Sequence, residues 1–585
     1  MHESNTFINL LRSLIILLFI SLVYAQAEKK FVLDEIDFPA VALATSEKGV
    51  PVYYRGEENQ NHIGIYHPPI YIYSLAGFIK LFGYSEINVR SFGMICTLMT
   101  AFLALLIFEI LFPKSINRHR FSLLFLSIFL LHPYTIANTT LPDIDQTILP
   151  VTMLLFIYFF LKYFPERPSF KKSNTEEKIQ IKPVLVLSLI LALNFWAKMT
   201  TPLAMLPSAF CILLVSKYKL RDAFLTLVAI TIISTIMFVF TYWIYCKLAV
   251  LPFDYTFQFL SHSFSKGTSS SGGLSNLLKK IIANASHIQF FTNWITIVFL
   301  FAFFLSFGNL LSMKIKSHSE KILIILAGLA LFVSVFYLSL IAPFGNFFKY
   351  PYPVFSLFVL TISYFLSIHV FSIIKTDNLS KKWPASSLSI VFILVFAFVS
   401  LMQLVKAKDI AILTNHSNSS LFLIGIVIVG IVTGALFNKF KSFKILSYIA
   451  TSLLATLLGV QIGISRSQAV APYPTKYEYG KIGFEETIAY LKGRVEPDEV
   501  IWSMKDVGYY VNNRYIENYG YIFNPDLKNI LITTIQEKKV RFFIVTTGIG
   551  QDRVDEYSTL KESLDFCCDV ERVIGNFVIY KARLK

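Results

Sequence analysis

Thirteen apolar runs, most of them close to the roughly 20 residues that a helix needs to cross a bilayer, constrain this chain more than any other feature. They lie near 7–25, 88–112, 120–137, 147–163, 183–197, 202–216, 223–246, 290–311, 322–342, 352–374, 386–404, 421–437 and 444–464. In hydrocarbon every backbone N–H and C=O must be satisfied within the protein, so repeated runs of this length predict a polytopic α-helical membrane protein. Composition points the same way. Only 15% of the 585 residues are charged, against about 25% in an average soluble domain, and mean hydropathy is +0.59. A water-soluble enzyme is excluded. The stretch 183–216 is one apolar segment interrupted by Lys198-Met199-Thr200-Thr201-Pro202, which reads as a tight external hairpin. Ala25-Gln26-Ala27 after the first run resembles a signal-peptide cleavage site. The weakly basic segment before it, with Arg12 opposed by Glu3, favours a retained helix.

The net charge of +16 is unevenly placed. From about residue 470 onward, 16 Lys/Arg face 17 Asp/Glu, while the rest of the chain holds 37 against 20. Much of the excess sits in short connections: Lys114 to Arg120, Lys162 to Lys182, Lys217 to Arg221, Lys314 to Lys321, Lys375 to Lys382 and Lys439 to Lys444. Basic short loops alternating with less basic ones follow the positive-inside rule. They place the N-terminus in the cytoplasm and the C-terminus outside, and they argue against nucleic acid as a partner. The five cysteines show no metal-ligand spacing, and the adjacent Cys567-Cys568 fits no Cys-x-x-Cys pattern, so no disulfide or zinc framework is expected.

Three segments then face outward. Residues 26–87 read as a long first loop with eight acids. Residues 247–289 form a second loop with a Ser/Gly-rich stretch at 266–273, the composition of a mobile connection. The tail, 466–585, reads as a small soluble α/β domain beside a membrane domain of 1–465. Phe484, Ile488 and Leu491 mark one amphipathic helix, and Leu527, Ile530, Leu531 and Ile535 a second. The apolar runs at 500–502, 542–545 and 576–579 read as buried strands.

Proton-coupled transporters commonly place carboxylates inside the membrane. Here Glu109 is the only acid within an apolar run, near its end. The acids that stand out flank the membrane instead. Asp34-Glu35 follows the first run by about nine residues, where a carboxylate can take a proton from an attacking hydroxyl or amine. Asp143-Ile144-Asp145 lies in a very short connection leading into a helix. Two carboxylates there can hold a divalent cation or orient an acceptor, and an Asp can equally cap the helix.

The order of these features resembles one family. Asp34-Glu35 is followed by His67-Pro68-Pro69-Ile70-Tyr71-Ile72-Tyr73, then Leu81-Phe82-Gly83-Tyr84-Ser85-Glu86, with Arg90 opening the second span. Further along come Leu141-Pro142-Asp143, Trp196-Ala197-Lys198 and Lys349-Tyr350-Pro351-Tyr352-Pro353. The series resembles the polyprenyl-phosphate-dependent GT-C glycosyltransferases, nearest the protein O-mannosyltransferase-like and aminoarabinose transferase-like groups, over roughly residues 1–370. The resemblance implies a plasma-membrane enzyme whose outer loops form the site. A polyprenyl-phosphate sugar docks there, and a glycolipid, glycan or protein acceptor attacks the anomeric carbon with inversion. Asp34 corresponds to the general base, with Glu35 beside it, and Asp143 with Asp145 shapes the acceptor or metal site. Lys198, Lys266 and Lys349 are the cations placed to hold the phosphate, Lys349 beside Tyr350. His67 stands where many relatives carry Lys. Its imidazole can donate to a phosphate or acceptor, or ligate a metal with His262. No two such ligands are visibly paired across the loops, so dependence on a divalent ion stays open. The alternative class is a transporter or flippase of lipid-linked sugars, against which stand the acid-poor membrane core and the large tail.

Overall fold

The computed structural model describes residues 2–27, 29–31, 34–51, 68–113, 118–166, 181–250, 252–254, 257, 299–300, 302–304, 306–307, 317–340, 350–369, 482–517, 524–547 and 556–583. The apolar runs at 386–404, 421–437 and 444–464, most of 290–311, and the expected domain boundary at 465/466 lie outside them.

Helix α1 (His2–Ala27) turns Phe7, Leu10, Leu14 and Leu17 outward and buries Phe19, Leu22 and Val23. Such a two-sided apolar helix belongs between lipid and a protein core. Helix α4 (Glu86–Leu111) does the same, with Ile95, Met99 and Phe102 outward and Cys96, Thr97, Thr100 and Ala104 inward. It starts where Ser85 accepts a hydrogen bond from the Asn88 N–H at 3.1 Å, a side-chain N-cap. Then follow α7 (Ile148–Tyr163), α8 (Ile181–Ala197), α9 (Met205–Val215) and α10 (Leu220–Leu248), and later the helices His318–Leu340 and Phe355–His369. Among the described residues four helices are long and apolar enough to cross a membrane, or five if one bent pair counts as a span.

Two expectations need correction. The run 120–137 is not one straight helix: α5 (Arg118–Leu130) and α6 (Pro133–Thr139) meet at a bend of 60°. Pro133 has no N–H to donate and disfavours helical backbone at His132. His132 instead caps α6, its Nδ1 accepting from the Tyr134 N–H at 3.0 Å. The first loop is also not simply a loop. It holds α2 (Asp34–Lys48) and α3 (Ile70–Phe82), packed on each other. In α2 the residues Ile36, Ala40, Val41 and Ala44 are buried.

The tail is a five-stranded sheet in the order β2-β1-β3-β5-β4. Strand β1 (Ile501–Ser503) runs parallel to β2 (Tyr515–Glu517) and β3 (Phe542–Thr546). Strand β5 (Phe577–Ala582) is antiparallel to β3 and to the edge strand β4 (Cys568–Ile574). All five residues of β3 are buried, as a central strand of unbroken apolar character requires. The two expected helices are present as Phe484–Lys492 and Leu527–Lys538. Strands β2 and β4 and the helices Lys505–Val511 and Glu556–Cys567 had no counterpart in the pattern reading.

Candidate active site

The site begins where α6 ends. Thr139 and Thr140 lead through Leu141-Pro142 to Asp143, whose side chain accepts from the Asp145 N–H at 3.5 Å and caps a short 3-10 turn, Ile144–Gln146. Both carboxylates are buried. The connection lies tight against α4 because residue 93 is glycine: a Cβ there would stand 2.3 Å from the Thr139 carbonyl oxygen. Polar side chains fill the contact. Thr97 and Thr139 hydroxyls are 2.9 Å apart, Thr97 is 3.4 Å from the Tyr352 hydroxyl, and Gln146 donates to Asn138 at 3.1 Å.

Lys198 reaches this connection from the turn after α8. Its Nζ lies 2.7 and 2.8 Å from the two oxygens of Asp145, with both side chains about 95% buried. The ammonium also lies 5.0 Å from the Tyr337 ring and 4.7 Å from the Tyr350 ring, which stack on each other at 5.2 Å. Thr201 and Tyr337 hydroxyls are hydrogen bonded. Burial alone would lower the pKa of Lys198, but the facing Asp145 carboxylate outweighs it and holds the ammonium pKa above its ordinary value.

Arg90, in the first turns of α4, ties the first loop to the same connection. Its guanidinium donates to the carbonyls of Thr140 at 3.1 Å and Ala27 at 3.0 Å, to the Lys29 carbonyl, and to the Glu35 carboxylate at 3.2 Å. It also covers the Phe31 ring at 4.6 Å. One buried fork thus holds the end of α1, the start of α2 and the acid-bearing connection together. Asp34 is the first residue of α2; its side chain is outside the described set. Tyr71 of α3 packs edge-on against Phe38 of α2 at 5.2 Å. Burial, reinforced by the charge of Asp143, pushes its phenol well above the usual range.

The structure therefore brings Asp145, Lys198 and Tyr350 into one cluster, with Asp143 beside it and Glu35 joined through Arg90. His67, His262, Lys266 and Lys349 lie outside the described residues. Among the described residues no group of three His, Cys, Asp or Glu comes together as a metal cage. The sequence reading gave no role to Arg90, Tyr337, Tyr71 or Thr97. Arg90 carried a usable signal, since a guanidinium inside a span is costly without partners. Tyr337, in the midst of an apolar run, carried none.

No family model and no curated protein sequence matches the chain. Solved structures do match it. ArnT from Cupriavidus metallidurans bound to undecaprenyl phosphate aligns with a TM-score of 0.58 at 13% identity, over 98% of this chain and 98% of that one. The apo form of ArnT gives 0.54 at 13% identity, over 99% and 98%. The fold is GT-C glycosyltransferase-like. An oligosaccharyltransferase from Archaeoglobus fulgidus, tethered to an acceptor peptide, aligns at 0.49 and 10% identity, over 92% of this chain and 69% of that one. A GT-C-like fold accounts for the two-sided apolar helices as spans of an integral membrane protein with a small sheet domain at its C-terminal end.

Proposed function

We propose that the chain is an integral-membrane glycosyltransferase. It moves a sugar from a polyprenyl-phosphate donor to an extracytoplasmic acceptor, which is a glycolipid, glycan or protein, with inversion. The observation that carries this reading is the end-to-end likeness to ArnT bound to undecaprenyl phosphate, joined to a buried cluster of acids, lysine and tyrosines beside the first-loop helix. Asp34 takes the proton from the acceptor hydroxyl as its oxygen attacks the anomeric carbon. The bond to phosphate breaks on the opposite face, and the polyprenyl phosphate leaves with its charge stabilised by nearby cations. Asp145 already balances Lys198, so Lys266 and Lys349 carry most of the leaving-group stabilisation. Tyr350 and Lys198 form the wall behind it. Asp143 and Glu35 orient the acceptor, and His67 donates to it or to the phosphate. Asp145 is engaged by Lys198, and among the described residues no group of three His, Cys, Asp or Glu forms around the acid pair. The basic short loops support a plasma-membrane enzyme whose site and tail face outward.

The test is sugar transfer by purified protein in detergent with a panel of polyprenyl-phosphate sugars. Asn keeps the size of Asp but cannot accept a proton. Asp34→Asn should lower turnover by about 10²–10⁴-fold with donor binding intact, and Glu35→Gln should cost less. Near-wild-type turnover in Asp34→Asn would move the base to Asp143 or Asp145.

A further inference from the structure

The connection between α1 and α2 is gripped from two sides. From the bundle side Arg90 binds the carbonyls of Ala27 and Lys29 and the carboxylate of Glu35. From the other side the contact comes from the tail, more than 450 residues away in sequence. Lys505 pairs with Asp37 at 2.7 Å, with the two side chains only 14% and 27% exposed. The Tyr510 hydroxyl accepts from the Phe31 N–H at 2.5 Å. Lys30 pairs with Glu485 and lies 4.8 Å from the Tyr510 ring. The ring of Tyr509 meets Phe31 at 6.5 Å and Tyr84 at 6.4 Å. Phe31 is fully buried between Arg90 and the tail helix Lys505–Val511.

The placement of these contacts is informative. Phe31 stands three residues before Asp34 and Asp37 three residues after it. A domain that only needed to be docked has no reason to bracket that acid. An exposed ion pair contributes little, but this one is largely shielded, and it acts together with a hydrogen bond to the backbone. The two restraints, on the Phe31 backbone and on Asp37, act on the chain on either side of the start of α2 at Asp34.

We propose that the tail helix Lys505–Val511 is a clamp for the N-terminus of α2, and that Lys505 and Tyr510 are positioning residues for Asp34, acting through Asp37 and the Phe31 backbone. The proposal rests on the glycosyltransferase reading for its catalytic half only. A catalytic group displaced by about 1 Å can cost on the order of 10²-fold in rate. Losing the clamp should therefore lower kcat while leaving the donor site untouched.

Two readouts test it on the full-length protein in detergent. In hydrogen–deuterium exchange, peptides covering residues 29–40 should exchange faster in the double variant Lys505→Met/Tyr510→Phe than in wild type, with peptides of α4 and β3 unchanged. In steady-state transfer, the same variant should lose about 10–100-fold in kcat with donor KM within about 2-fold of wild type. Lys505→Arg, and the exchanged pair Lys505→Glu/Asp37→Lys, should recover most of the rate. Unchanged exchange at 29–40 would overturn the clamp. Faster exchange with unchanged kcat would overturn the positioning role while leaving the transferase reading intact. Faster exchange in a chain whose wild type transfers no sugar from any donor would refute the transferase reading, and the clamp would stand on the exchange data.

Discussion

Asp145→Asn isolates the worth of the buried pair. Lys198 and Asp145 are each about 95% buried and meet through both carboxylate oxygens, at 2.7 and 2.8 Å. Neutralising the acid leaves a buried ammonium facing a neutral amide and, among the described residues, the rings of Tyr337 and Tyr350. Breaking such a pair from one side costs about 3–5 kcal/mol, which for a protein of this size lowers the apparent melting temperature by about 2–4 °C. Removing both charges should cost much less, because the desolvation penalty disappears with them. Lys198→Met/Asp145→Leu should therefore melt closer to wild type than Asp145→Asn does.

The pH dependence separates this account from loss of packing. In wild type the Lys198 pKa is raised, so the stability it adds is fully present below the unfolded value of about 10.4 and is lost only as pH rises through the higher folded value. In Asp145→Asn the carboxylate that most opposes desolvation is gone, and the folded pKa falls below the unfolded one. The penalty is then greatest at low pH and eases as pH approaches 10. Melting of both proteins in detergent, followed from pH 6 to pH 10, should show the gap between them narrowing. A gap that does not change with pH, or a double variant no better than the single, would refute the reasoning.

Gly93→Ala sets a Cβ 2.3 Å from the Thr139 carbonyl oxygen and should cost about 1–3 kcal/mol through overpacking. Gly77→Ala, in a helix with nothing within 4 Å, should be neutral or stabilising; equal melting of the two variants would show that α4 and α6 are not in close approach. For topology, cysteines introduced at Ser46 and Ser558 should react with an impermeant thiol reagent on intact cells while one at Ser173 should not. Labelling at 173 would reverse the orientation.

Much of this fold was legible because the bilayer imposes simple demands. Apolar length marked α1, α4 and α10 directly, and the periods at Phe484-Ile488-Leu491 and Leu527-Leu531 marked tail helices whose inward faces are these residues. Helix α2 was not legible as a helix because its buried residues, Ile36, Pro39 to Ala42, Ala44 and Thr45, run nearly all round it and leave no single apolar stripe among its acids. The bend at Pro133 was in plain sight, and only the length of the surrounding apolar run argued for reading through it. Asp145 and Lys198 could each be singled out, one as half of an Asp-x-Asp and the other as a charge breaking an apolar stretch. Their pairing across 53 residues could not, because no local pattern encodes which helix ends meet. The contact between Lys505 and Asp37 is more remote still.

The candidate site has a common local cause. Its side chains sit where helices stop: Asp143 after Leu141-Pro142, Lys198 before Thr201-Pro202, Tyr350 before Pro351 and Pro353. A helix that stops inside a packed protein leaves backbone groups that need partners from the surrounding side chains. Partners are supplied here. Arg90 donates to the Thr140 carbonyl at 3.1 Å and the Thr147 hydroxyl to the Asp143 carbonyl at 2.7 Å. The side chains needed to satisfy these breaks form a polar shell around the same few turns. In that shell a buried carboxylate and a buried ammonium can persist, which an unbroken bundle of these apolar helices would not allow. Pro142, Pro202 and Pro351 thus mark in the sequence the turns that carry the candidate site.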